Sequence, residues 1–175
     1  MSVSLKPLTV DEFLAWERAQ PARYEFDGIQ PVAMTGGSRL HARMIARLTL
    51  ALGNRLRAPC EVFSSELKVI TNGRVRYPGV SVVCSADGDD DTIEPAVVFE
   101  VLSPSTALTG RRVKAAGYAA VPGILAHVML ETDRAEITIR RRATDWEAET
   151  IEGPGANLSL PETGVTISLA DLYRH

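Results

Sequence analysis

Cysteine is scarce in this sequence: Cys60 and Cys84 are the only two among 175 residues. Two are too few for a disulfide framework, and they fall in no Cys-x-x-Cys metal spacing. The expectation is two reduced, buried thiols in a cytoplasmic protein. Long apolar runs are also missing. The longest tracts, around PAVVFEVL and GILAHVML, are strand-sized and interrupted by Glu100 and His127. Neither approaches the ~18 apolar residues of a membrane span, so no membrane partner is expected. The opening MSVSLKPLTVDEF has no apolar core of signal-peptide length. Lysine is rare as well, with 3 Lys against 16 Arg. Arginine is the better phosphate fork, although composition bias produces the same skew. Neither sign of charge dominates: the formal net charge is −3, so any polyanion would have to be met by a local patch. No G-x-S-x-G, P-loop or dinucleotide glycine fingerprint occurs, which leaves serine hydrolase and nucleotide-fold chemistry without support. The Trp and Tyr residues form no base-stacking motif.

What is present is ordinary globular material, 45% hydrophobic and 23% charged. A chain of this length buries roughly 70% of its unfolded surface, enough for a core without staples. No repeat or linker appears, and one α/β domain over residues 1–175 is expected. Thr9 and Glu12 form a capping box for a helix to about Gln20, stopped by Pro21. Strands over 23–26 and 29–34 flank the hairpin dipeptide Asp27-Gly28, with Pro31 marking an edge. Ser38 caps the longest helix, to about Arg57, whose apolar stripe includes Leu40, Met44, Leu48 and Leu52. Arg39, Arg43 and Arg47 run beside that stripe, either to grip phosphates or as a solvated face of salt bridges. Strands over 62–71 and 75–84 turn at Asn72-Gly73. The Asp87–Asp91 loop lacks both EF-hand spacing and a closing Glu. Val97–Leu102 reads as a central strand, followed by a helix over about 106–120, three more strands and a short helix after Ser168.

Glu100 is the physical anomaly in this pattern. A carboxylate within Val-Val-Phe-Glu-Val-Leu is costly to bury unless a cation, a metal ion or donor groups meet it. Lys114, on the helix that follows, is one candidate partner. His127, in another apolar strand, reads as a satisfied core histidine.

These residues belong to a longer run of likeness. LTVDEFLAWE, RYEFDGI, MTGGSRLHARM, SSELKV, RYPGVSVVC, FEVLSPST, the Lys114–Tyr118 helix and VTISLADLY together resemble the Uma2 (DUF820) proteins. That family is a branch of the PD-(D/E)XK restriction-endonuclease-like superfamily. The resemblance implies a central mixed β-sheet flanked by helices, with an N-terminal hairpin addition. It also implies a Mg²⁺ (or Mn²⁺) site that hydrolyses DNA phosphodiester bonds. There, hard oxygen ligands hold the metal and a lysine positions or activates the attacking water. By resemblance, Glu100 and the Val101 backbone carbonyl are the metal ligands. Lys114 substitutes for the lysine missing at Leu102, and Glu25 and Glu66 are auxiliary carboxylates. His41, Arg39 and Arg43 face phosphate, DNA is the partner, and a homodimer is expected.

The sequence also departs from the family. Where the family has Pro-Asp, this chain has Pro78-Gly79, and an acidic position four residues before Lys114 is Gly110. Both changes remove negative charge from the same site, so weakened metal binding and an impaired or inactive endonuclease are expected. The alternative is a non-catalytic nucleic-acid-binding or regulatory homodimer on the nuclease fold.

Overall fold

The computed structural model describes residues 8–34, 36–85, 90–103 and 108–174, with the backbone alone over 108–110. Asp87, Asp89 and the Pro104-Ser105-Thr106 segment lie outside the described residues. The architecture is a mixed α/β one, with a central mixed sheet flanked by helices.

The first helix, α1 (Val10–Glu17), begins as its sequence dictates. The Thr9 hydroxyl accepts from the Glu12 amide at 3.1 Å, and the Glu12 carboxylate accepts from the Thr9 amide at 2.7 Å. These bonds satisfy two of the donors that a helix start leaves open. Its buried Phe13 stacks on Phe26, ring centroids 5.0 Å apart, and with Val75 forms a small core. That core lies against a four-stranded antiparallel sheet ordered β2 (Pro31–Ala33), β1 (Tyr24–Phe26), β5 (Arg74–Arg76), β4 (Val69–Thr71). Pro31 is on the edge strand, where its missing N–H costs no ladder bond.

The larger sheet has six strands. Its order is β10 (Ala148–Glu152), β9 (Glu136–Arg141), β8 (Ala126–Glu131), β7 (Val97–Leu102), β6 (Val80–Val83), β3 (Glu61–Ser64). All pairings are antiparallel except β7 with β8, which are joined through α3 (Leu108–Ala119). The pleat sends alternate residues to opposite faces. Val97, Phe99 and Val101 enter the main core with Val128, Leu130, Ile137 and Ile139, covered by Met44, Leu48 and Leu52 of α2 (Arg39–Gly53). Val98 enters a separate cluster with Tyr118 of α3. Glu100 and Leu102 therefore share the α3 face of the sheet. A close approach sets the position of α3 against the smaller sheet: a Cβ at Gly117 would lie only 3.2 Å from Thr71 Oγ1.

Three expectations are corrected. The strands expected over 62–71 and 75–84 are each broken in two, and the halves join different sheets. Ser65 adopts a left-handed φ of 32°, and its amide and hydroxyl donate to the Gly79 carbonyl at 3.1 and 3.0 Å. Pro78, which has no N–H to donate, marks the matching break. The expected pair of reduced thiols is a Cys60–Cys84 disulfide with Cα atoms 3.9 Å apart. The β3–β6 register pairs Glu61 with Val83, so one further step sets the two cysteines opposite each other. Their separation of 24 residues gives no hint of this, and cysteine usage no longer indicates a compartment. Finally, β11 (Asn157–Leu160) and β12 (Val165–Ser168) form an unanticipated hairpin. It buries Leu158, Leu160, Val165 and Ile167 in the main core and leads into α4 (Leu169–Leu172). Among the described residues, no helix is long and apolar enough to cross a membrane.

Leu48 is fully buried between α2 and the sheet, whereas Leu50 on the same helix is 65% exposed. Leu48→Ala is expected to lower unfolding stability by about 3 kcal/mol through lost burial and a residual cavity. Leu50→Ala should change it by less than about 0.5 kcal/mol. Urea denaturation of both variants checks the contrast.

Candidate functional site

Where the two sheets and α3 meet there is a cavity of about 380 Å³. Glu100 reaches it from β7, Glu25 from β1, Lys114 from α3 and His41 from the start of α2. Gly79, Val101 and Leu102 also line it. The Lys114 ammonium lies between the two carboxylates, 3.2 Å from Glu25 Oε1 and 3.2 Å from Glu100 Oε1. Tyr118 OH donates to Glu100 Oε1 at 2.7 Å. Arg76, only 7% exposed, donates to Glu25 Oε2 at 3.0 Å, and the Tyr77 amide donates to Glu25 Oε1 at 3.2 Å. Burial acts to lower the Lys114 pKa, but Glu100 and Glu25 more than offset it and hold the ammonium above the ordinary lysine range. Burial, reinforced by Glu100, keeps the Tyr118 phenol protonated and well above its usual pKa.

The sequence-derived residues divide clearly. Glu25, Glu100, Lys114, Val101 and His41 share the cavity. Glu66 lines a neighbouring cleft and is held by the Arg23 guanidinium. Arg39 and Arg43 are exposed and do not line the cavity, while Arg47 donates to carbonyls of Leu172 and Arg174. Arg76, Tyr77, Tyr118 and Arg111 were not anticipated. The signal for two of them was present: Arg111, Lys114 and Tyr118 fall at i, i+3 and i+7, one stripe of a helix. Arg76 carries no such pattern, because a one-residue shift in register would have pointed it to the opposite face.

The Glu25 and Glu100 environment does not fit Mg²⁺, which needs hard oxygen ligands at about 2.0–2.1 Å in near-octahedral array. Both Glu25 oxygens accept from cationic groups, and Lys114 stands between the carboxylates where a cation would bridge them. Lys114 and Arg76 balance the charge of the two carboxylates. Among the described residues, no cluster of three or more His, Cys, Asp or Glu side chains could hold a metal. Gly79 is the position that matters for this deficit. One step beyond the Val80–Phe99 pair it faces Glu100 across the β6–β7 ladder. A Cβ built there would sit 3.3 Å from the Phe99 carbonyl and 3.7 Å from the Val101 amide.

A second buried ionic group adjoins the cavity. Glu17 Oε1 accepts from Tyr77 OH at 2.7 Å and from the Tyr24 amide at 3.2 Å. Glu17 Oε2 lies 3.4 Å from the Lys68 ammonium, which also pairs with Asp91. The hydrogen bond from Lys68 holds Asp91 below the usual carboxylate pKa. Tyr77 thus links the cavity to α1.

The arrangement is that of a restriction-endonuclease-like protein: a central strand delivers a glutamate to a cavity, and the crossover helix meets it with a lysine. The chain belongs to the Uma2 family, described as "Putative restriction endonuclease", whose model matches residues 10–170. It is 29% identical over 180 residues to an uncharacterized protein of Synechocystis, covering 99% of this chain and 95% of that one. Its fold matches the crystal structure of a "putative nuclease belonging to DUF820" from Anabaena variabilis. That match has a TM-score of 0.79 at 19% identity, covering 95% of this chain and 98% of the other.

His127 was expected to be a satisfied core histidine. It is 1% exposed and 4.9 Å from the Tyr118 ring, but neither ring nitrogen has a partner among the described residues. Burial, with Lys114 and Arg140 nearby, lowers its pKa to about 3. The neutral ring is therefore native, and an unfolded histidine titrates near 6.5. Its contribution is fully present above pH ~6.5 and is lost as pH falls toward about 3, on the order of 4 kcal/mol across that window. His127→Phe is expected to flatten that acid limb without loss of stability at pH 8. Unfolding midpoints measured from pH 8 to pH 4 read this directly.

Proposed function

We propose that residues 1–175 form one nuclease-fold domain that engages nucleic-acid phosphate at the Glu25–Glu100–Lys114 cavity but does not hydrolyse it in its present form. The observation that carries this reading is the Lys114 ammonium, 3.2 Å from each carboxylate, with Gly79 facing Glu100. A site built for cleavage needs carboxylates free to hold a metal ion; here Gly79 offers none, and Glu25 and Glu100 are both paired with Lys114. The residues' roles follow from that. Lys114 would supply positive charge to a phosphate oxygen, Glu25 and Glu100 would hold the ammonium in place, and His41 would donate from the cavity rim. Glu66 would join as an auxiliary carboxylate only if Arg23 released it.

The family's nuclease assignment supports DNA as the partner class. A homodimer is also proposed, supported by exposed Ile29, Val32 and Met34 at or beside β2, whose outer edge meets no strand among the described residues. Sedimentation velocity on the full chain is expected to give the dimer mass, and a monomer at all concentrations would remove this part.

The decisive experiment compares cleavage of plasmid and single-stranded DNA by the native chain, Gly79→Asp and Glu100→Ala, each with Mg²⁺ and Mn²⁺. Gly79 has no left-handed φ, and an aspartate Cβ there would meet the Phe99 carbonyl at 3.3 Å and Ile45 Cδ1 at 3.7 Å, so the carbonyl must give by a few tenths of an ångström. Cleavage by Gly79→Asp alone is the expected outcome. Cleavage by the native chain that Glu100→Ala abolishes would overturn the claim of inactivity.

A further inference from the structure

A second concavity, of about 180 Å³, lies under α3 and adjoins the first, sharing Leu102, Arg111 and Met129 with it. Its polar lining consists of Arg111 and Arg112 from α3 and Arg140 and Thr138 from β9. The register explains the convergence. Arg140 pairs with His127 and Thr138 with Met129, and both partners line the Glu100 cavity, so these side chains share one face of the sheet. Two of the guanidiniums are fastened at one end only. Arg111 Nη1 donates to Glu131 Oε1 at 2.8 Å, and Arg140 Nη1 donates to the Trp146 carbonyl at 2.8 Å. The Nε of each is buried without a partner among the described residues and out of a ligand's reach, so a ligand would be met by the Nη groups. Arg112 is exposed and makes no ion pair among the described residues. Of the three, Arg111 alone is shown against a carboxylate, Glu131, which is also 3.6 Å from Arg134. The planar forks of arginine suit the tetrahedral oxygens of a phosphate, and the small volume suits one phosphate rather than a base.

We propose that Arg111, Arg112 and Arg140 form a second phosphate subsite, taking a phosphodiester of the same strand whose neighbouring phosphate lies at Lys114. The inference rests on the nucleic-acid reading above, and Arg111, which lines both concavities, is its physical link.

The test is metal-free fluorescence anisotropy of labelled single- and double-stranded oligonucleotides at graded salt, using the full chain. Arg112 is exposed, so Arg112→Ala and Arg112→Glu leave the core intact. Arg57→Ala, exposed beyond the far end of α2, is the control. Arg112→Ala is expected to weaken binding about tenfold whatever the base sequence. It should also reduce the slope of log K against log salt by about 0.7 on single strands or 0.9 on duplex. Arg112→Glu should do more, and Arg57→Ala nothing. Native binding with unchanged affinity and slope in Arg112→Glu overturns the subsite and leaves the nucleic-acid reading standing. If the native chain binds no oligonucleotide at low salt, that reading falls, and inorganic phosphate decides the subsite. Thermal stabilisation by phosphate that Arg112→Glu abolishes would support an anion site there, and its absence would overturn both.

Discussion

The contact on which the rest of the site depends is the Lys114 ammonium held between Glu25 and Glu100. It ties together three parts of the chain that are far apart in sequence: the N-terminal hairpin, the central strand and the crossover helix. Each carboxylate alone would be costly where it is largely buried, and so would the ammonium. The ammonium and the Arg76 guanidinium together balance the two carboxylates, and Tyr118 and the Tyr77 amide take up further acceptor capacity on them. The chain has only three lysines, and two of them, Lys68 and Lys114, serve buried ionic groups of this kind. Tyr77 joins the two groups, so the placement of α1 and the shape of the cavity are parts of one network.

The central sheet performs two tasks because its faces differ. One face of β7, β8 and β9 is apolar as far as Arg141 at the end of β9, and packs under α2. The other carries Glu100, His127, Met129, Thr138 and Arg140 beneath α3. A period of two along each strand makes this separation possible, and the parallel pairing of β7 with β8 puts α3 over the polar face. Charge then decides what that face can hold. Beside Glu100, that face presents Lys114 from α3 and the arginines Arg111 and Arg140.

Much of the local structure was legible in the sequence. Thr9 and Glu12, Asp27-Gly28, Asn72-Gly73 and Ser168 act where their chemistry indicates, because caps and tight turns are decided by a few adjacent residues. Pro31 lies on an edge for an equally local reason. The family likeness and the central position of Val97–Leu102 were also legible, the latter because only a strand covered on both faces has so continuous an apolar run. The 157–168 hairpin was missed although NLSL and VTIS alternate, since glycines and prolines around it read as loop.

By itself, then, the sequence determined most of the helices, caps and turns, which follow from periodicity, capping and turn chemistry within a few residues, while its motifs implied the fold through their resemblance to a family. Tertiary structure alone decided which side chains meet. It split two expected strands between sheets at Ser65 and Pro78, and set Cys60 opposite Cys84. It gave Glu66 to Arg23, turned Arg47 to the C-terminal segment, and gathered Arg111, Arg112 and Arg140 around one concavity. The reason is that partnership between charges depends on the register of strands and the placement of a helix over a sheet. A single step in register moves a side chain to the opposite face, and no spacing along the chain records that step.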